Sequence, residues 1–111
     1  MTRERLPNRR PCERITINHN GIQCDVTAGY SLEPDPQIME LFIHGGKAGS
    51  AFEAEVRDAG ISLSLLLQHG VPLDVAQHGF TKDEGGGPAS AIGAAVGAIA
   101  NFKPDPSNGE K

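Results

Sequence analysis

The chain of 111 residues has the length of one small domain, with 38% hydrophobic residues, 22% charged residues and a net charge of −4. This composition excludes a disordered chain, and no apolar run approaches the roughly 20 residues that span a bilayer. The basic N-terminus lacks the apolar stretch of a signal peptide, so we expect a cytoplasmic protein with no membrane partner. An enzyme with separate cofactor and substrate domains does not fit this length.

The charges are divided unevenly along the chain. Residues 1–14 carry five arginines and two glutamates, a net charge of +3, whereas the other 97 residues have a net charge of −7. The arginines of this basic arm are Arg3, Arg5, Arg9, Arg10 and Arg14. Such an arm either docks on its own acidic domain or contacts a phosphate-bearing or acidic partner. Binding of DNA by the arm alone would be weak and strongly salt-dependent.

The first half of the chain has strand patterns. Residues 15–19 alternate apolar and polar before Asn20-Gly21, a pair that adopts the positive φ angles of a type I′ turn. A hairpin is therefore expected, with residues 22–28 as the return strand and Cys24 half-buried in it. Two prolines then exclude a central strand, and a third strand is predicted over residues 38–44.

Helical patterns fill the second half. Ser50 and Glu53 match a capping box, and the helix that they open is predicted to run to about residue 69. Leu66 is expected deep in the core, on the same face as Leu63 and Leu67. Gly70 fits the C-terminal cap of this helix.

Two shorter helices are predicted after it, over residues 73–78 and from Pro88 to about residue 101. The glycine-rich linker 81–87 between them indicates a hinge, and Gly93-x-x-x-Gly97 indicates a close helix contact within the domain or across a dimer. We therefore predict one α+β domain over residues 15–102, in which two or three helices cover a small three-stranded antiparallel sheet, followed by a flexible tail, 103–111.

The loop between the third strand and the first long helix resembles an anion site in outline. Glycines let backbone amides approach a ligand, and the helix that follows presents free N–H groups. The candidate anion- or nucleotide-binding residues are His44, Gly46, Lys47, Gly49 and Ser50. A tight β–α turn with a solvated Lys47 explains the same residues, and the P-loop pattern is absent.

Other chemistry has little support in the sequence. The two cysteines, Cys12 and Cys24, form no C-x-x-C pair, and the four histidines lack metal-ligand spacing. Positive charge near Cys12 would favour a reactive thiolate. No nucleophile motif is present, so we predict no catalytic residues, no metal site and no cofactor.

Four segments resemble the C-terminal TSCPD-type domain of adenosylcobalamin-dependent (class II) ribonucleotide reductases. They are RLPNR at 5–9, MELFIH at 39–44, GKAGS at 46–50 and SLSLLLQHGVPL at 62–73, and the similarity covers about residues 5–80. In that family the radical chemistry belongs to a large barrel with cobalamin and catalytic cysteines, and the tail often carries a redox cysteine pair. None of those residues has a counterpart here.

The resemblance implies a free-standing accessory domain, and enzyme activity of the chain alone is not expected. Our first hypothesis is a module that docks on a protein partner, such as a reductase, or self-associates as a homo-oligomer. Our second is a nucleotide or nucleic-acid binding module that uses the Gly-Lys loop and the basic arm. A third is a subunit of a split ribonucleotide reductase.

Overall fold

A computed structural model describes residues 11–32 and 35–100. These residues form a three-stranded antiparallel sheet of order β1-β2-β3 and three helices, which confirms the predicted α+β fold. The elements are β1 (Cys12–His19), β2 (Ile22–Tyr30), β3 (Ile38–Gly45), α1 (Ala51–Gln68), α2 (Leu73–His78) and α3 (Ala91–Ala100). None of the helices in the described ranges is long and apolar enough to cross a bilayer.

The predicted hairpin joins β1 to β2. Asn20 and Gly21 have φ angles of 52° and 83°, as the Asn-Gly pair requires, and the Gly21 N–H donates to Asn18 Oδ1 at 3.0 Å. Both strands are longer than predicted. β1 begins at Cys12, so Arg14 of the basic arm is a strand residue, and β2 continues to Tyr30.

The two faces of the sheet differ in burial. The inner face carries Cys24, Val26 and Ala28 of β2 with Leu41 and Ile43 of β3, and all five are buried. The outer face is formed by the alternate positions of the three strands, which are Cys12, Arg14, Thr16, Asn18, Gln23, Asp25, Thr27, Gly29, Glu40, Phe42 and His44. Cys24, predicted to be half-buried, is therefore a full core residue.

Helix α1 covers the free edge of β3 with polar as well as apolar side chains. The Ser64 hydroxyl accepts from Leu41 N at 2.8 Å and lies 3.0 Å from Leu41 O, and the Gln68 amide donates to Met39 O at 3.2 Å. Gly60 allows the close approach, because a Cβ there would lie 2.9 Å from Leu41 O. Helix α1 thereby supplies partners for three backbone groups on the free edge of β3.

Both ends of α1 are set by the residues that the sequence indicated. Ser50 Oγ accepts from Glu53 N at 3.1 Å at the N-terminus. At the C-terminus Gly70 has a φ of 95° and donates to Leu67 O at 3.1 Å, while Val71 N donates to Leu66 O at 3.0 Å. This is the hydrogen-bond pattern of the Schellman motif.

The prediction for Leu66 is wrong. Its side chain is 47% exposed, whereas Leu63 and Leu67 are buried with Val56. Leu66 and Leu67 follow Leu63 by three and four residues and flank it on opposite sides around the helix axis, and the buried face turns to the side of Leu67. The buried face also includes Gly60 and Ser64, and the serine is not recognisable from a hydrophobic pattern.

The segment before α3 also differs from the expectation. Pro88 is not a helix residue but pairs with Lys82 in an isolated β-bridge. Helix α3 begins at Ala91, and the preceding residue caps it, because Ser90 Oγ accepts from Gly93 N at 3.1 Å. The linker predicted as a hinge is a closed loop, because Asp83 Oδ1 accepts from the N–H groups of Gly85 and Gly87 at 3.0 and 2.9 Å. Side chain–backbone bonds of this kind hold a glycine-rich loop in one shape.

Candidate functional site

The predicted anion loop joins β3 to α1. His44 lies exposed on the outer face of the sheet, and Lys47 is exposed in the loop. Gly46 and Gly49 have φ angles of 79° and 82°, in the left-handed region that favours glycine. A Cβ at Gly46 would contact the Phe52 ring at 3.4 Å, so the loop lies against the first turn of α1.

Several backbone donors of this loop already have protein acceptors. Gly49 N donates to Glu53 Oε1 at 2.9 Å, and Ser50 N donates to Lys47 O at 3.0 Å. The Glu53 carboxylate, which also lies 3.7 Å from Arg57, stands at the helix N-terminus where an anion would bind. A bound phosphate would have to displace this carboxylate or lie beside it. Anion binding at His44, Lys47 and Ser50 therefore stays a prediction.

The basic arm lies mostly outside the described residues, which begin at Pro11. Arg3, Arg5, Arg9 and Arg10 fall in that part of the chain. Arg14 is exposed on the outer face, where it stands opposite Thr27 of β2.

The two cysteines lie in different environments and are both free thiols. Cys12 is exposed, whereas Cys24 is buried. Burial raises the pKa of the Cys24 thiol, and the nearby Asp25 carboxylate raises this pKa further. A buried thiol of this kind is a poor nucleophile. Across residues 11–32 and 35–100, no cluster of three or more His, Cys, Asp or Glu side chains has the arrangement of a metal site.

A small cleft lies between α3 and the closed loop that precedes it. Its volume is about 160 Å³, and Phe80, Lys82, Pro88, Gly93 and Gly97 are among its lining residues. Gly93 serves a contact within the domain, since a Cβ there would lie 3.2 Å from Pro88 Cβ. At Gly97 a Cβ would meet no atom within 4 Å, so this end of the glycine pair faces open space.

An exposed apolar surface on α1 was not expected from the sequence. We call it the α1 patch; it consists of Ile61, Leu65 and Leu66, which are 43%, 40% and 47% exposed. The three residues occupy adjacent turns of the helix, with Ser62 exposed between them. The sequence nevertheless contains a signal for this surface, because the second half of α1 has more large apolar residues than one buried face accommodates.

The comparisons with known proteins connect this fold to one family. The sequence profile of the TSCPD domain matches residues 3–102, which is most of the chain. The chain belongs to the TSCPD domain family. The family resemblance noted from the four sequence segments is thereby confirmed.

The curated relatives of this TSCPD domain are much longer proteins. A vitamin B12-dependent ribonucleotide reductase of Agrobacterium fabrum is 38% identical over 89 residues, which are 77% of this chain and 7% of that protein. The reductases of the same name from Rhodopirellula baltica and Bradyrhizobium diazoefficiens are 35% and 33% identical over 71% and 78% of the chain. The chain thus spans about 7% of the length of these relatives. No solved structure matches.

Proposed function

We propose that this TSCPD domain is an accessory module that docks through the α1 patch on the catalytic chain of a vitamin B12-dependent ribonucleotide reductase. The observation that carries the proposal is the exposure of Ile61, Leu65 and Leu66 on adjacent turns of one helix. Single exposed apolar side chains are ordinary on protein surfaces, but a contiguous group favours a binding surface.

Burial of the α1 patch supplies a driving force of useful size. Covering the exposed part of each side chain would contribute on the order of 1 kcal/mol. Each 1.4 kcal/mol corresponds to about a tenfold change in affinity, so the three residues together affect binding by about two orders of magnitude. Apolar residues at the centre of an interface are also those whose truncation weakens binding most.

The family supports a reductase as the partner. In the curated relatives the matched region is part of a single chain with the rest of the reductase, of which it forms 7%. The catalytic part of a reductase is therefore the partner whose surface a domain of this family is expected to fit. Leu65 and Leu66 of the α1 patch lie within the segment 62–73 that resembles the reductases, and Ile61 directly precedes it.

The test uses the Agrobacterium fabrum reductase from which the matched region has been deleted. Binding of the intact TSCPD domain is measured by isothermal titration calorimetry beside the variant Leu65→Asp. We expect micromolar binding of the unchanged domain and at least a tenfold loss for the variant. Val75→Asp is the matched control, because Val75 is 58% exposed on α2, outside the α1 patch.

Three outcomes would contradict the proposal. One is the absence of binding at about 100 μM, and another is equal loss of affinity in the α2 control. The third is a homodimer, detected by sedimentation of the domain alone, that Leu65→Asp dissociates. In that case a second copy of the chain is the occupant of the α1 patch. Circular dichroism spectra establish that both variants fold.

A further inference from the structure

The two edges of the sheet differ in how their backbone is covered. At the β3 edge, helix α1 bonds to the strand backbone through Ser64 and Gln68. The other edge is β1, which has a neighbouring strand on one side only. Among the described residues, no group hydrogen-bonds to the backbone on the free side of β1. An eight-residue strand with an open edge is a template for pairing with another strand.

The hydrogen bonds between β1 and β2 determine which backbone groups point to this open edge. Tyr30 N donates to Pro11 O at 2.9 Å, so Pro11 and every second residue after it are the positions of β1 that bond to β2. The N–H and C=O groups of the intervening residues point away from β2; these residues are Cys12, Arg14, Thr16 and Asn18. Their side chains are exposed on the outer face, and no proline, glycine or bulge interrupts the edge.

A second copy of β1 matches this edge in the antiparallel direction. Opposite side chains must lie on the same face of the joined sheet, which limits the registers that are possible. With Ile15 opposite its own counterpart, Arg14 stands opposite Thr16 of the second copy, and Cys12 stands opposite Asn18. All the outward-pointing residues then pair, with about eight backbone hydrogen bonds between the two strands. Each neighbouring register leaves one end residue of β1 without a strand partner.

The charges of the outer face favour the same register. Asp25 is the β2 partner of Thr16, and Asp25 Oδ1 accepts from Thr16 Oγ1 at 3.0 Å. Arg14 of the second copy would stand on the other side of this threonine, two strand spacings or about 10 Å from Asp25. The arginine and aspartate side chains together bridge that distance across the short threonine. The register in which Arg14 stands opposite its own counterpart would instead bring two like charges together.

The inner face of β1 gains cover from the same contact. Ile15 and Ile17 pack against the core but are only partly buried, whereas Val26 and Ala28 of the central strand β2 are fully buried. Pairing makes β1 an interior strand of a larger sheet and sets Ile15 beside Ile15 of the second copy. Apolar area at the margin of the core is thereby removed from water, which favours association.

We infer that two copies of this domain associate edge to edge through β1, with Ile15 at the two-fold axis, and form one continuous six-stranded sheet. The contact is self-complementary, because each copy supplies both an Arg14 and an Asp25 and the ionic contact occurs twice. Helix α1, which carries the α1 patch, packs on β3 at the opposite edge of the sheet. The inference is therefore independent of docking through the α1 patch.

Charge reversal tests this arrangement on the full chain. Analytical ultracentrifugation from about 10 μM to about 500 μM protein, at about 50 mM salt, gives the dissociation constant of the dimer. We expect the unchanged chain to dimerise, and we expect Arg14→Asp and Asp25→Arg each to weaken the dimer by about tenfold or more. An equimolar mixture of the two variants is expected to regain the dimer, because every ionic contact in a mixed dimer joins opposite charges.

Glu55→Arg is the matched control, since it makes the same change of charge as Asp25→Arg at an exposed position of α1 and should leave the dimer intact. Circular dichroism establishes that each variant folds. If Asp25→Arg does not fold, Asp25→Asn replaces it, because asparagine keeps an acceptor for Thr16 and still removes the charge. A chain that stays monomeric at about 500 μM overturns the inference. So does a dimer that neither reversal weakens, a mixture of folded variants that stays monomeric, equal weakening by Glu55→Arg, or a dimer that Leu65→Asp dissociates.

Discussion

Tyr30 is the residue whose environment is least expected from its type. It is buried at the end of β2, and among the described residues its hydroxyl has no hydrogen-bond partner. Burial raises the pKa of this phenol, with a smaller contribution from the Glu13 carboxylate. A buried hydroxyl without a partner loses its hydration and gains nothing in return, so the ring stabilises the core while the oxygen destabilises it.

Tyr30→Phe is therefore expected to keep or raise the free energy of unfolding, by up to about 1 kcal/mol. The ring still fills its space, and only the unpaired oxygen is removed. Urea denaturation followed by circular dichroism measures the change, since Tyr30 is the one tyrosine and the chain has no tryptophan. A loss of more than about 1 kcal/mol would show that the hydroxyl has a partner after all, and Tyr30→Leu gives the cost of losing the ring.

At the scale of the element, α1 shows which features the sequence determines. Its two ends were predictable because Ser50, Glu53 and Gly70 act on backbone groups a few residues away. Its rotation was not, because the face toward β3 is chosen by contacts that are distant in sequence. Gly60 and Ser64 lie against the backbone of Leu41, and the burial of the serine is not recognisable from an apolar pattern.

The rotation of α1 gives a paired prediction for two adjacent leucines. Leu67→Ala is expected to lower the free energy of unfolding by about 2–5 kcal/mol, because Leu67 is buried in the core. Leu66→Ala should cost less than about 1 kcal/mol, because its side chain is half exposed. Thermal or urea denaturation of the two variants measures the difference. Equal costs would mean that Leu66 is buried by self-association or that the helix has another rotation.

Contacts that form only in the folded chain also limited what the sequence could predict about the candidate sites. The residues of the β3–α1 loop were located correctly from the sequence, but the use of its Gly49 and Ser50 amides by Glu53 and Lys47 depends on the folded shape of the loop. The closed loop at Asp83 was not predicted. Its three consecutive glycines indicate flexibility, and the sequence does not show that the Asp83 side chain binds their backbone N–H groups. The family was recognisable because short segments such as 62–73 carry it without any three-dimensional information.

At the scale of the whole molecule, the stability of the protein depends on pH through Cys24 and Tyr30 of β2, whose raised pKa values keep them neutral in the core. The unfolded chain loses these protons at about pH 8.5 and about pH 10, whereas the raised pKa of each group keeps the folded chain protonated to higher pH. The folded state thus binds more protons than the unfolded state in this range. The stability that these two groups contribute is complete below about pH 8.5 and is lost as the pH rises through their raised pKa values.

Cys24→Ala removes the earlier of these two groups and should flatten the first part of the alkaline loss. Urea midpoints at intervals between about pH 7 and pH 10 measure the slope for the unchanged chain, Cys24→Ala and the control Cys12→Ala. Cys12→Ala takes away an exposed thiol, so its profile is expected to follow the unchanged chain. Cys24→Ala will be less stable near neutral pH because it leaves a cavity, and the comparison therefore uses the slope and not the absolute midpoint.

Identical slopes for all three chains would mean that the Cys24 thiol ionises as readily in the folded core as in the unfolded chain. Water would then reach the inner face of β2, which the burial of Val26 and Ala28 beside it contradicts.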